Sequence, residues 1–202
     1  MSMARASLVA DLKASLQDAA SVFTAASDAD FVRHLDRAAL DLGRRRPRTL
    51  LGEVTLVAEQ AAYAAPGDML AFKVDTWGQH GIQPWEDHYP GRLPQVRLVE
   101  LAAAKVLAFS PAPTAAQIGI LGASYGFYYL AAHAIGDAAA DTTVADGDRG
   151  VLLLRAQAEA CRELAMRGMT KPVALRDGHS GTPRNSTPSA LWQALMDEFE
   201  AA

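Results

Sequence analysis

Ile118-Gly119-Ile120-Leu121-Gly122-Ala123-Ser124-Tyr125-Gly126-Phe127-Tyr128-Tyr129-Leu130-Ala131-Ala132-His133 is the stretch on which the reading of this chain turns. Its apolar residues alternate, so Ile118–Leu121 and Tyr125–His133 read as one β segment, with the glycines marking a bend or bulge. A turn-rich acidic connection follows from Gly136 to Gly147, and an amphipathic helix then runs from about Asp148 to Arg167. Inside the stretch, residues 122–126 also match Gly-x-Ser-x-Gly, the elbow of serine hydrolases. That elbow needs a strand, a tight turn and then a helix to expose the serine hydroxyl. Here the aromatic run alternates better than it winds. An acid and a histidine do follow, as Asp177 and His179, but in a polar stretch with no strand to hold them. No Gly-rich oxyanion segment precedes the serine. The bulge reading is preferred, no catalytic residue is assigned, and a small esterase-like hydrolase using Ser124 is the alternative.

Upstream, two helices are expected. Leu8, Leu12, Leu16, Ala19 and Phe23 recur at helical spacing over 4–23. Phe31, Leu35, Ala38 and Leu42 do so over 28–42, with Ser27 as cap, Asp30 three residues on and Gly43 as the stop. The period then changes to two. Leu50, Val54 and Leu56 share one strand face; Leu70, Phe72 and Val74 share another beyond the Pro66-Gly67-Asp68 turn. Residues 78–94 form an irregular excursion rich in Gly and Pro. Val96–Leu101 and Val106–Phe109 are short strands separated by three alanines. In the helix from Asp148, Val151, Leu154, Ala158, Cys161 and Ala165 form the apolar face, and Arg155, Glu159, Arg162 and Glu163 point away from it. Residues 170–188 carry almost nothing to bury and read as an extended arm. It ends in a helix over 188–200, capped by Thr187 with Pro188 in its first turn.

Composition narrows the function classes. The net charge of −4 argues against a strong nucleic-acid binder. No apolar run reaches the roughly 18 residues of a membrane span. Asp11 and Lys13 interrupt any secretory core near the start. The one cysteine, Cys161, forms no internal disulfide and reads as core. His80, Glu86, Asp87 and His88 match no zinc or calcium spacing, so no metal and no cofactor is expected. Trp77, Trp85 and Tyr89 have the character of subunit-interface anchors. Arg44, Arg45, Arg46 and Arg48 form the one dense positive run, suited to a phosphate backbone or an acidic neighbour. His34 and His133 read as structural. Leu191, Trp192, Leu195, Met196 and Phe199 make a dense apolar stripe on the last helix, which a helix-in-groove contact with a partner suits.

Several pieces in order resemble the head–tail connector (adaptor) proteins of tailed bacteriophages. They are the first helix, the Phe31…Leu35…Ala38…Leu42 helix and the Arg46-Pro47-Arg48 junction, then the strands around Pro66-Gly67-Asp68 and the Ser110-Pro111-Ala112-Pro113-Thr114 segment. After these come the aromatic strand into Ala132-His133 and the Val144-to-Gly150 opening of the long helix. The likeness spans residues 4–170. It implies an α+β, mainly α fold: a helical bundle with an inserted β region over 49–133, in a connector domain of residues 1–169 followed by the arm of 170–202. It implies a virion neck protein, assembled in the host cytoplasm and not an enzyme. In that reading the chain forms a homo-oligomeric, usually dodecameric ring beneath the portal protein, meets a further neck or tail protein, and lets double-stranded DNA pass non-specifically through its channel. The apolar stripe of the last helix would then bind the portal.

Overall fold

The structure, a computed structural model, describes residues 3–78, 82–168 and 187–202. Two compact units emerge. One is helical and combines residues 1–46 with 133–202; the other spans 47–132.

The helical unit contains α1 (Arg5–Leu16), α2 (Ala29–Arg45), α4 (Arg149–Gly168) and α5 (Pro188–Ala201). Its core is mainly aliphatic: Leu8, Leu12, Leu35, Leu42 and Leu152, with Ala38, Ala39, Ala156 and Ala160 between them and Phe23, Phe31 and Phe199 beside them. The first helix is shorter than its periodicity predicts. It gives way to a 3-10 turn over Gln17–Val22, after which Phe23 returns to the core. Ser27 does not cap α2. Ser27 and Asp28 both adopt left-handed backbone angles, φ 55° and 59°, and the Asp28 carboxylate is taken by Lys13 at 2.6 Å. Gly43 does not stop α2 either; it is buried within the helix, which continues to Arg45. Pro47 is the effective terminator, because its ring disfavours helical angles at the residue before it.

The second unit contains two three-stranded antiparallel sheets. In the first, β6 (Ser124–Ala131) lies between β1 (Arg48–Thr55) and β3 (Met69–Asp75). In the other, β5 (Ala104–Ser110) lies between β2 (Ala62–Ala64) and β4 (Gln95–Leu101). The inward residues of β6, Tyr125, Phe127 and Tyr129, stack in sequence along the strand and meet Phe72 and Phe109. Gly52 pairs with Phe127, and a Cβ there would stand 2.6 Å from the ring. The aromatic row therefore lies directly against bare backbone.

Two expectations fail here. The molecule is not a helical bundle with a β insertion; it is mixed α+β, with two sheets forming a unit with its own core. Nor is Ile118–Leu121 a strand. It belongs to α3 (Ala115–Leu121), set by a capping box in which Thr114 Oγ1 accepts from the Gln117 amide at 3.2 Å. The Gln117 side chain accepts in return from the Thr114 amide at 3.0 Å. The 170–188 arm lies outside the described residues, apart from its last two.

Candidate functional site

The densest polar chemistry lies along the seam where α2 packs on α4. Ala38, Ala39, Ala156 and Ala160 keep the apolar part of this contact thin, and long charged side chains reach across the seam beside it. Arg155, expected on the solvent side of α4, is 5 % exposed. Its guanidinium donates to Asp41 at 2.7 Å and to Glu159 at 3.1 Å. Asp41 is also approached by Arg37 and Arg44, and Glu159 by Arg162. One turn further along, His34 is fully buried and its Nε2 lies 2.8 Å from Glu163 Oε2. Arg33 donates to the same oxygen at 2.6 Å, and Arg167 donates to Glu163 Oε1. Burial by itself pushes Glu163 up, but hydrogen bonds from His34, Arg167 and Arg33 outweigh it and hold the carboxyl at about 2. Edge contacts from Phe23 and Phe31 fix the His34 ring.

The sequence-assigned residues are distributed as follows. Arg44 pairs with Asp41, Arg46 pairs with Asp148 at 2.8 Å, and Arg48 pairs with Asp68 at 3.2 Å. Arg45 lies over the Phe199 ring, 5.8 Å from its centroid. The basic run thus makes internal contacts while Arg44, Arg45 and Arg46 stay exposed, and Arg33, Arg37 and Arg162, which sequence reasoning did not single out, add further exposed positive charge. The helical spacing of Arg33 and Arg37 was the available signal. Their approach to an α4 arginine depends on the packing of the two helices.

Phe199 is buried in the helical unit, where α5 packs on α4, and Met196 packs against the same core. Leu191 is exposed, while Trp192 and Leu195 are half-buried. Trp77 belongs to the core of the β unit: its indole N–H donates to the Gly122 carbonyl at 3.0 Å and its ring meets Tyr125. Trp85 is 81 % exposed and Tyr89 is also exposed. Cys161 is buried, which pushes its thiol up.

Ser124 opens β6, so the order is helix, glycine, strand, the reverse of a hydrolase elbow. Its hydroxyl donates to Glu53 Oε1 at 2.6 Å. His133 lies beyond the far end of β6, its two ring nitrogens facing the Thr143 and Arg46 carbonyls at 3.1 and 3.0 Å. Asp177, His179 and His80 lie outside the described residues. Glu86, Asp87 and His88 are exposed, and no group of three or more metal-ligating side chains occurs among the described residues. Among the same residues, no helix is long and apolar enough to cross a membrane.

No protein-family model matches this chain, and no curated protein matches it.

Proposed function

We propose that this protein is a head–tail connector of a tailed bacteriophage, a structural ring beneath the portal that joins capsid to tail and lets DNA pass. The observation that carries the reading is the chain order. Two N-terminal helices lead into a β unit at 47–132, and the chain returns through an acidic connection to the long α4. That is the succession on which the resemblance rests. Exposed Trp85 and Tyr89 are suited to subunit contacts, since aromatics anchor interfaces.

The portal contact is assigned to α5. Phe199 and Met196 hold the helix to α4, while Leu191 and the outer parts of Trp192 and Leu195 stay available. Full burial of an exposed apolar side chain gains on the order of 1.5–3 kcal/mol, and each of these three gains less per copy because part of it is already covered. A ring of copies multiplies that weak contact into firm attachment. Reconstruction of the virion neck tests the reading: a ring of this chain between portal and tail is expected. Its absence from the neck would overturn the assignment.

A further inference from the structure

We propose that α5 is exchanged between copies of this chain: in the ring, the α5 of each copy seats on the α4 of its neighbour, through the contacts one chain makes with itself. The inference rests on the ring reading and says what ties each copy to the next.

The seat is defined by both ends of α5. The helix lies along α4, with Phe199 buried and Met196 packed against the core that α2 and α4 share. Its last turn is held by α2. Arg45 stands over the Phe199 ring, and the Arg46 guanidinium donates to the Ala202 carbonyl and to Asp148. Asp148 directly precedes α4, so the C-terminal end of α5 lies at the N-terminal end of α4, and the two helices run antiparallel. At about 1.5 Å per residue, α4 is roughly 30 Å long and α5 roughly 21 Å. Thr187, which caps α5, therefore stands beside the C-terminal half of α4. A return from Gly168 to Thr187 in the same chain covers only about 10 Å along the helix axis.

The connection is far longer than that return requires. Residues 169–187, 19 in number, join α4 to α5. Neighbouring helices of a bundle are ordinarily joined by about 2–8 residues. At up to about 3.3 Å per residue, the chain between α4 and α5 reaches on the order of 60 Å. A unit of this size is about 35 Å across. The surplus length matches the distance to the same seat on an adjacent copy.

Exchange loses no contact, because the donated helix meets the same residues as a home-seated one. A solvated helix of 14 residues is marginal alone, so α5 depends on whichever α4 receives it. Once copies stand side by side, the connection presents each α5 to the neighbouring seat at a high effective concentration. The contact joins two different surfaces, the α5 stripe of one copy and the α4 seat of the next. It is heterologous, and it closes into a ring when the rotation between copies closes. Leu191 stays exposed whichever copy supplies the seat, so the face assigned to the portal is kept.

The test is to trap α5 on its seat. Rings are assembled on portal-containing heads from the full chain carrying Arg46→Cys and Ala202→Cys. They are then treated with a short bis-maleimide and run on a denaturing gel. Cys161 is buried and stays out of reach of the reagent. Exchange is expected to give a ladder of covalent multimers, with the 46–202 link identified by peptide mass spectrometry. Rings that give the link only within monomers would overturn the exchange and leave the ring reading intact. Rings in which no such link forms would also overturn it, since α5 would not occupy this seat. If the paired cysteines prevent assembly, a chain lacking residues 171–182 decides, because its connection reaches only its own seat. It is expected to fold, as circular dichroism measures, and to form rings at least about tenfold less readily than the parent. A shortened chain that assembles as well as the parent, or that cannot fold because its own seat needs the full connection, would overturn the exchange. A parent chain that forms no ring even on portal-containing heads would overturn both readings.

Discussion

Arg155 on α4 and Phe127 on β6 are both nearly inaccessible, yet they stabilise their units by opposite means. Around Phe127 lie Phe72, Tyr125 and Tyr129, rings whose burial needs no partner for most of their surface. Around Arg155 lie two carboxylates, each held by further arginines. The alanine-rich faces of α2 and α4 offer little apolar area, and charged side chains span the seam between them. The β unit has large rings and little need for buried charge. The helical unit should therefore respond to pH and salt, and the β unit chiefly to loss of volume.

The largest effect that can break this contrast is Phe127→Ala. Loss of a fully buried ring should destabilise the β unit by about 4 kcal/mol. Urea unfolding followed by near-ultraviolet circular dichroism measures it, and a loss below about 1 kcal/mol would show the aromatic row to be dispensable. Arg155→Met comes next. It leaves Asp41 and Glu159 with only their outer arginines, at a cost of about 3 kcal/mol. If denaturation shows the variant to be as stable as the parent, the seam is no better than an apolar contact.

The pH dependence sharpens the comparison. Glu163 sits at about 2 in the folded chain against an ordinary value of 4.5. A carboxyl lowered by folding contributes stability that is complete above the ordinary value and is lost as pH falls toward 2. The loss should be on the order of 3 kcal/mol. Glu163→Gln should flatten this acid limb in melts taken between pH 5 and 2, and an unchanged slope would exclude Glu163 as its source.

Two smaller effects concern the β unit. Ala102 and Ala103 form the tip between β4 and β5 with φ 48° and 65°, a turn that glycine and asparagine adopt with less strain. Ala103→Gly should raise stability by about 1 kcal/mol, and a decrease on thermal melting would contradict the turn assignment. Ser124→Ala should change stability by no more than about 0.5 kcal/mol, since its bond to Glu53 is exposed. It should also leave attachment to heads intact; esterase activity abolished by this change would revive the hydrolase alternative.

The same residues show how much of the molecule was legible beforehand. Period-two alternation marked β1, β3 and β6, and short apolar runs marked β4 and β5, within a few residues; in β1 and β6 the alternation follows the burial of every second side chain. The helix α3 was missed although Thr114 and Gln117 spell a capping box; the apolar run that follows resembles a strand when its cap is overlooked. The β4–β5 turn was read as three alanines between strands because no Asn or Gly announced it. Arg155 and Glu159 were placed on the wrong face of α4, since a helix covered by α1, α2 and α5 has no simple solvent side. Of the candidate site, the identity of α5 and its apolar residues was readable from spacing. The split between Phe199, buried at home, and Leu191, left outside, depends on which neighbour the helix meets.

Arg48 pairs with Ala131, its side chain reaches the Ala132 carbonyl at 3.0 Å, and His133 is held by the Arg46 carbonyl. The chain therefore leaves the helical unit and returns to it through neighbouring residues. Genetically, this makes the segment encoding 47–132 a cassette. Recombination at its two flanks can exchange one β unit for another without re-threading the helices. A descendant that lost the segment altogether would need only a tight turn between Arg46 and His133 to keep α2, α4 and the seam between them.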